Sequence, residues 1–150
     1  MPKETPSVDK VDISYLENLV GYNARRVSLS LIDVFVQRMA ELSLHPVEFS
    51  VLMLITRNPG ITSSQLCAAL GMKAPNLVGM IGALEKRELV MRKPHPQDGR
   101  AMGVHLTPAG RKFMARAEKI SDDMEAQIAQ KLPSTERATL VRLLQKLYLD

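Results

Sequence analysis

Apolar residues recur at helical spacing through most of the chain, which predicts a mainly helical protein. Residues 13–42 carry one such pattern without an interrupting proline, so they predict one long first helix. Pro46 suits the first turn of a second helix, because the N–H that proline lacks would have no partner there. Asn58, Pro59 and Gly60 end that helix.

The next segment predicts two short helices joined by a tight turn. Thr62 and Gln65 have the spacing of a capping box, in which each side chain accepts a hydrogen bond from the other residue's backbone N–H. Gly71 suits the left-handed conformation at the end of this helix, and Pro75 begins another helical run. Two short helices in this order form a helix-turn-helix.

A β-hairpin and two further helices complete the pattern. Residues 89–93 and 102–106 are short runs that can pair, and the intervening residues 94–100 are rich in turn formers and basic in character. Thr107 then caps a long helix that Pro133 ends, and Ser134, the next residue, caps the last one. The predicted fold is therefore mainly α with a small β-hairpin.

Composition limits the possible classes. A chain of 150 residues with 45% apolar content has room for one core, and we expect one domain in which residues 1–12 form a flexible tail. No apolar run suits a membrane span or a secretory signal, so we expect a cytoplasmic protein. With one cysteine and three scattered histidines, we expect neither a metal site nor a cofactor.

Positive charge is concentrated in the middle of the chain. The formal net charge is +4, yet the segment from Lys73 to Arg116 has nine Lys or Arg residues against three acids, a balance of +6 that leaves −2 elsewhere. This segment covers the second helix of the helix-turn-helix and the hairpin. It is therefore the candidate surface for a polyanion such as DNA.

Four motifs resemble those of the MarR family of transcriptional regulators, and their order extends the resemblance over nearly the whole chain. They are GYNARR at residues 21–26, ALEKRELVMR at 83–92, PQDGR at 96–100 and LTPAGRKF at 106–113. The resemblance implies a winged helix-turn-helix lobe at residues 46–107 and dimerisation helices at 13–45 and 108–150. It also implies a homodimer that binds a palindromic double-stranded operator, in most such proteins as a repressor.

The candidate DNA contacts come from the geometry of such lobes. The N-terminal part of the recognition helix meets base edges in the major groove, which indicates Lys73, Asn76, Gly79 and Met80. We expect Asn76 to contact adenine, or alternatively to satisfy only the helix end. A further set is expected to bind phosphate through a helix N-terminus or through charge: Ser63, Ser64, Gln65, Arg92 and Lys93.

Two other basic residues, Lys86 and Arg87, are interpreted as phosphate contacts or solvated charges. The resemblance implies that Asp98 and Arg100 form a wing-tip pair, in which the acid holds the arginine for insertion into a minor groove. The alternative is a solvated turn in which Asp98 caps Gly99.

Two glycines depart from the family pattern. Many members have a polar or basic residue in the middle of the recognition helix, where this chain has Gly79 and Gly82. Each glycine costs about 1 kcal/mol of helix propensity relative to alanine. Either they allow close approach of the backbone to DNA or they leave a softer helix.

The resemblance also implies a small effector, commonly an aromatic anion, that binds between the dimerisation helices and the DNA-binding lobe and releases DNA. Tyr22, Arg25, Arg26 and His45 are the candidate residues, since arginine binds carboxylates with two parallel hydrogen bonds. The alternative is that the arginines form salt bridges between helices or protomers, with His45 at the start of the second helix.

Three other functions are less well supported. Oxidant sensing through Cys67 is one, but the apolar neighbours of Cys67 favour a buried small side chain. The sequence also contains no second cysteine that could form a disulfide with it. An enzyme is disfavoured because no metal-ligand spacing, phosphate loop or paired nucleophile is present. The third is a winged-helix module that binds protein. It is disfavoured because such a module does not require the basic residues of the hairpin, Arg92, Lys93 and Arg100.

Overall fold

The fold is described for residues 11–150 from a computed structural model. Within these residues the helices and strands follow in this order: α1 (Ser14–Glu17), α2 (Val20–Arg38), a 3-10 turn (Ala40–Leu42), α3 (Pro46–Arg57), β1 (Ile61–Thr62), α4 (Ser63–Leu70), α5 (Ala74–Lys86), β2 (Val90–Pro94), β3 (Met102–Leu106), α6 (Pro108–Lys131) and α7 (Ser134–Tyr148). The predicted tail lies outside the described residues, apart from Val11 and Asp12.

The prediction of one continuous first helix is wrong. The chain leaves the helix at Asn18 and Leu19, where side-chain amides bond backbone carbonyls that a continuous helix would use. The amide of Asn18 donates to the carbonyl of Ser14 at 2.8 Å, and that of Asn23 donates to those of Glu17 and Leu19, both at 2.8 Å. Two short polar side chains therefore separate α1 from α2.

The described part of the predicted tail is bonded to the start of α1. The carboxylate of Asp12 accepts the backbone N–H of Ser14 at 3.0 Å. Hydrogen bonds from the side chain and the backbone of Ser14 hold the pKa of Asp12 below its ordinary value. Residue 12 is thus bonded to the first turn of α1.

The capping chemistry of the helix-turn-helix is confirmed. Thr62 Oγ1 accepts the N–H of Gln65 at 3.3 Å, and the N–H of Thr62 donates to Gln65 Oε1 at 3.0 Å. Gly71 ends α4 at a φ of +61°, a conformation that glycine adopts without a Cβ clash. The two helices are bent by 115° at this turn. Within residues 11–150 no single helix is both long and apolar enough to cross a membrane, and α4 with α5 passes that test only as a bent pair.

The predicted hairpin is present within a three-stranded antiparallel sheet of order β1-β3-β2. Val90 pairs with Leu106 and Pro94 with Met102, so β2 and β3 are joined along their whole length. Ile61 pairs with Val104 from the other side, which fastens the start of α4 to the sheet. We refer to β2, β3 and the turn between them as the wing.

The long C-terminal helix begins as predicted, whereas the last helix does not. Thr107 Oγ1 accepts the N–H of Gly110 at 2.9 Å and donates to the carbonyl of Glu88 at 2.5 Å. In contrast, Pro133 stands at the cap position of α7, and Ser134 is its first helical residue without a side-chain cap. The prediction of a serine cap is therefore wrong by one residue.

One apolar core joins α2, α3, α4, α5, the sheet and α6. Met39, Leu52, Leu66, Leu77 and Leu84 are among its fully buried members. No residue of α7 is buried, and α2 buries Phe35 alone. Both helices therefore present apolar side chains that this protomer leaves exposed.

Gly110 provides a test of how α6 meets the sheet. A Cβ at this position would overlap the carbonyl of Leu89, whereas one at Gly82 would meet no atom within 4 Å. We expect Gly110→Ala to lower the free energy of unfolding by about 1–3 kcal/mol through overpacking. The control Gly82→Ala should raise it by up to about 1 kcal/mol through helix propensity. Urea denaturation at fixed protein concentration measures both, and shifts in the same direction would contradict the packing.

Candidate DNA interface

The outer face of α5 is the centre of the candidate interface. Leu77, Ile81 and Leu84 are buried along one side of this helix, so the opposite side faces away from the core. Asn76 and Gly79 are exposed on that outer side, and Lys73 is exposed at the N-cap position. Lys73 makes no side-chain cap hydrogen bond. The contact between Asn76 and adenine stays a prediction, with the side chain exposed as that contact requires.

Met80, a predicted DNA contact, is less exposed than its neighbour Val78. Met80 is half-buried and packs against the core, which removes most of its side chain from the outer face. Val78, at the border between the buried and outer sides, is 53% exposed and is not among the residues predicted to contact DNA. The available signal was its position about 100° around the helix from Leu77 and about 60° from Ile81, at the border of the buried side.

The first turn of α4 contains the next three candidates. Ser64 is exposed, Ser63 is half-buried, and the side chain and backbone N–H of Gln65 are both engaged with Thr62. The capping box engages Oε1 and the backbone N–H of Gln65, and a phosphate contact by any of the three residues stays a prediction. Ser64 remains the candidate whose position best suits a phosphate at this helix end.

Arg92 forms a contact within the lobe. Its Nε and Nη2 both lie 2.7 Å from Oε1 of Glu85. Because Glu85 lies on α5 and Arg92 on β2, this partly exposed pair joins the wing to the recognition helix. Lys93, the following residue, is exposed and lines a cavity of about 430 Å³ with Gly60 and His105.

The wing tip is shaped by Asp98. Its carboxylate accepts the backbone N–H of Arg100 at 3.0 Å, and its carbonyl accepts the N–H of Ala101 at 3.0 Å. Asp98 therefore bonds the backbone of Arg100 and fixes the turn around it. Insertion of the Arg100 side chain into a minor groove stays a prediction. Both side chains are exposed, so the turn presents the guanidinium of Arg100 to its surroundings.

Arg87 is partly exposed and makes several contacts within the protein, while a phosphate contact stays a prediction. Its Nη2 donates to the carbonyl of Leu42 at 2.7 Å and its Nη1 to that of Ser43 at 3.2 Å. The Oε2 of Glu48 lies 3.8 Å from Nη1, and the guanidinium lies 5.1 Å from the ring centroid of Phe113. Arg87 therefore joins the end of α5 to the corner between α2 and α3 and to α6.

A groove of about 840 Å³ lies away from these residues, among α2, α3, α6 and α7. Phe35 and Phe49 meet edge to face in its wall, with ring centroids 5.6 Å apart. Its lining is mainly apolar and, in the part of the chain that the structure describes, contains no Lys, Arg or His: Asn18, Val20, Asn23, Ala24, Val27, Ser28, Leu31, Ile32, Phe35, Pro46, Phe49, Ser50, Ser121, Met124, Glu125, Ile128, Leu140 and Leu144.

The four candidate effector residues are not brought together at this groove. Tyr22, Arg25 and Arg26 alternate with its α2 lining and face other directions, while His45 is exposed next to the lining residue Pro46. Their role in binding an effector stays a prediction. Cys67 is half-buried and packs against the core, as a small apolar residue does.

The helix-turn-helix packs on the core and exposes one side of its recognition helix, and the wing lies beside it. This arrangement defines a winged helix-turn-helix protein. The MarR family model matches residues 44–102, which span α3 to the start of β3. A putative transcriptional regulatory protein for the hcr operon of Thauera aromatica is 28% identical over 130 residues, covering 86% of this chain and 78% of that protein.

Solved structures agree over almost the full length. The repressor CouR bound to a 23-mer DNA duplex is 33% identical, with a TM-score of 0.85 over 92% of this chain and 98% of CouR. CouR bound to p-coumaroyl-CoA is 31% identical, with a TM-score of 0.82 over 94% of this chain and 99% of CouR. The chain belongs to the MarR family, whose members are transcriptional regulators that bind DNA and are typically dimers.

The contacts of Arg87 lead to a prediction about stability. Arg87→Met removes two charged donors from backbone carbonyls, and we expect the free energy of unfolding to fall by about 1–2 kcal/mol. Lys86→Met is the matched control, because Lys86 is the exposed neighbour at the end of the same helix. Urea denaturation of both variants should separate them. Equal effects would show that Arg87 acts as an ordinary surface cation.

Proposed function

We propose that the protein is a repressor that binds a palindromic operator as a homodimer and leaves it when a small effector binds. The observation that carries this proposal is the exposed outer face of α5 beside a basic wing, on the fold of a repressor solved with DNA. For a regulator of this kind we propose a cytoplasmic location.

The apolar surface of the terminal helices supports the dimer. Leu143, Leu147 and Tyr148 on α7 are 47%, 68% and 71% exposed, and Leu29 on α2 is 45% exposed, all outside the groove lining. A second copy related by a two-fold axis would cover both helices with the same surfaces of its own. Such a dimer would place two α5 helices about 34 Å apart, one turn of DNA.

The groove supports an effector with an apolar, aromatic part. Its lining offers apolar side chains and two aromatic rings but no cation to pair with a buried carboxylate. A thioester of an aromatic acid carries no charge at the acyl carbon, so its acyl group suits this groove better than the free acid does. CouR, which shares the fold, has been solved with p-coumaroyl-CoA. We therefore propose an aromatic acyl-CoA as the effector class.

DNA binding should be specific, and it should weaken as salt rises. We expect full-length protein to enrich a palindromic duplex from a random-sequence pool. Arg100→Ala should weaken binding to that duplex about tenfold, since one exposed guanidinium is lost from the wing tip. Lys119→Ala, on the exposed side of α6, is the control that removes one positive charge elsewhere. Titrations by fluorescence anisotropy at several salt concentrations measure these affinities.

An enriched duplex that binds equally well at all salt concentrations would contradict the proposal, and so would recovery of no sequence at all. Equal losses for Arg100→Ala and Lys119→Ala would instead show that the wing tip contributes only net charge.

Release by an effector gives a separate prediction. We expect p-coumaroyl-CoA or benzoyl-CoA to dissociate the complex, and free coenzyme A or the free acids to leave it intact. Ala24→Leu narrows the groove and should raise the thioester concentration needed for half-release at least tenfold, with operator affinity retained. The control is Ala115→Leu, because Ala115 is exposed on α6 outside the groove lining. Release by the free acid alone would overturn the thioester assignment and favour the arginine pair on α2.

A further inference from the structure

We propose that the recognition helix α5 distinguishes bases mainly through thymine methyl groups, with Val78 as the side chain that contacts the methyl. This inference rests on the proposed binding of a specific operator, and it names the base feature that the operator must carry.

The outer face of α5 has little means of polar base recognition. Between residues 74 and 84 the only side chain able to hydrogen-bond a base edge is that of Asn76. The remaining outward positions carry small or apolar groups, namely Ala74, Pro75, Val78, Gly79, Gly82 and Ala83. Bidentate contacts from arginine or glutamine, the common means of identifying guanine or adenine, are absent from this stretch.

Val78 is placed for an apolar contact instead. It is 53% exposed, and the only other large apolar side chains exposed in the lobe of residues 46–107 are Val47 and Met102, at 45% and 43%. Val47 lies on α3 and Met102 on β3, so Val78 is the exposed apolar group of the recognition helix. A β-branched side chain in a helix is held near one rotamer, which gives a fixed apolar surface.

The major groove has one apolar group that such a surface can meet. Thymine presents its C5 methyl there, and the other three bases present hydrogen-bonding groups or a bare ring edge. A valine pressed against a donor or acceptor would remove water from it without replacing the hydrogen bond. Val78 therefore favours thymine by contact and disfavours the other bases by desolvation.

Gly79 allows the approach that this contact needs. A Cβ there would meet no protein atom within 4 Å, so neither packing nor an unusual φ requires glycine at this position. The space that the missing side chain leaves is on the DNA side of the helix. The backbone next to Val78 can therefore lie closer to the groove floor than it could with any other residue.

The test uses the duplex that the full-length protein enriches, resynthesised with deoxyuridine in place of thymidine at one position at a time. Uracil keeps every hydrogen-bonding group of thymine and lacks only the methyl. We expect one sensitive position in each half-site. Deoxyuridine at that position in a single half-site should lower the affinity about three- to fivefold, the effect of losing contact with one methyl group. Substitution in both half-sites should give about a ten- to twenty-five-fold loss.

Val78→Ala links the effect to this residue. The variant should bind the thymidine and deoxyuridine duplexes with the same affinity, because the group that touches the methyl has been removed. The control Val47→Ala makes the same change at an exposed site on α3 and should keep the full difference. Gly79→Ala should raise the melting temperature and weaken operator binding at least fivefold.

Each contrary result is decisive. Indifference to deoxyuridine at every position overturns the inference while leaving specific operator binding intact. Equal sensitivity in Val78→Ala shows that the methyl acts through DNA shape and also overturns it. Unchanged affinity in Gly79→Ala refutes the close approach. Failure to enrich any duplex overturns the proposed function and this inference with it.

Discussion

The guanidinium of Arg87 connects the two halves of the molecule. Its two hydrogen bonds reach the carbonyls of Leu42 and Ser43, just before α3 begins, and Glu48 on the first turns of α3 completes the site. The planar fork of arginine can satisfy two carbonyls and a carboxylate at once, which a lysine ammonium on a flexible stem does less well. The end of the recognition helix is thereby fixed to the corner between α2 and α3.

That corner is also one wall of the apolar groove. Pro46, Phe49 and Ser50 line the groove from α3, and Glu48 on the same turns faces Arg87. A displacement of α3 by a molecule in the groove must either carry α5 with it or break the bonds of Arg87. The contacts of Arg87 therefore connect the apolar groove, through α3 and the residues before it, to the end of α5.

How far the sequence predicts this structure depends on the range of the interaction concerned. The capping box at Thr62, the left-handed Gly71 and the cap at Thr107 were predicted correctly because their partners lie within a few residues. The break at Asn18 was missed because proline was taken as the necessary signal, although an amide that bonds backbone carbonyls is sufficient. The two-residue strand β1 is too short for any period.

The candidate site shows the same limit. The sequence locates the cations of the central segment but cannot separate those that hold the fold from those that face outward. All four are exposed, but Arg87 and Arg92 contact acids and carbonyls of other elements, whereas the side chains of Lys93 and Arg100 make no hydrogen bond or salt bridge within the described residues. The effector residues chosen on α2 also depended on which side of a helix faces α6 and α7, and that is settled only by packing.

The stability of α5 and its chemistry toward DNA are placed on opposite sides of one helix. Two glycines lower its intrinsic propensity by about 2 kcal/mol relative to alanine. The burial of Leu77, Ile81 and Leu84 offsets this, since each fully buried leucine or isoleucine contributes about 1.5–3 kcal/mol. Glu85 and Arg87 then tie the helix to the wing and to the α2–α3 corner. Because these contacts position the helix from its inner side, packing within the protein does not require larger side chains at Gly79 or Gly82 on the other side.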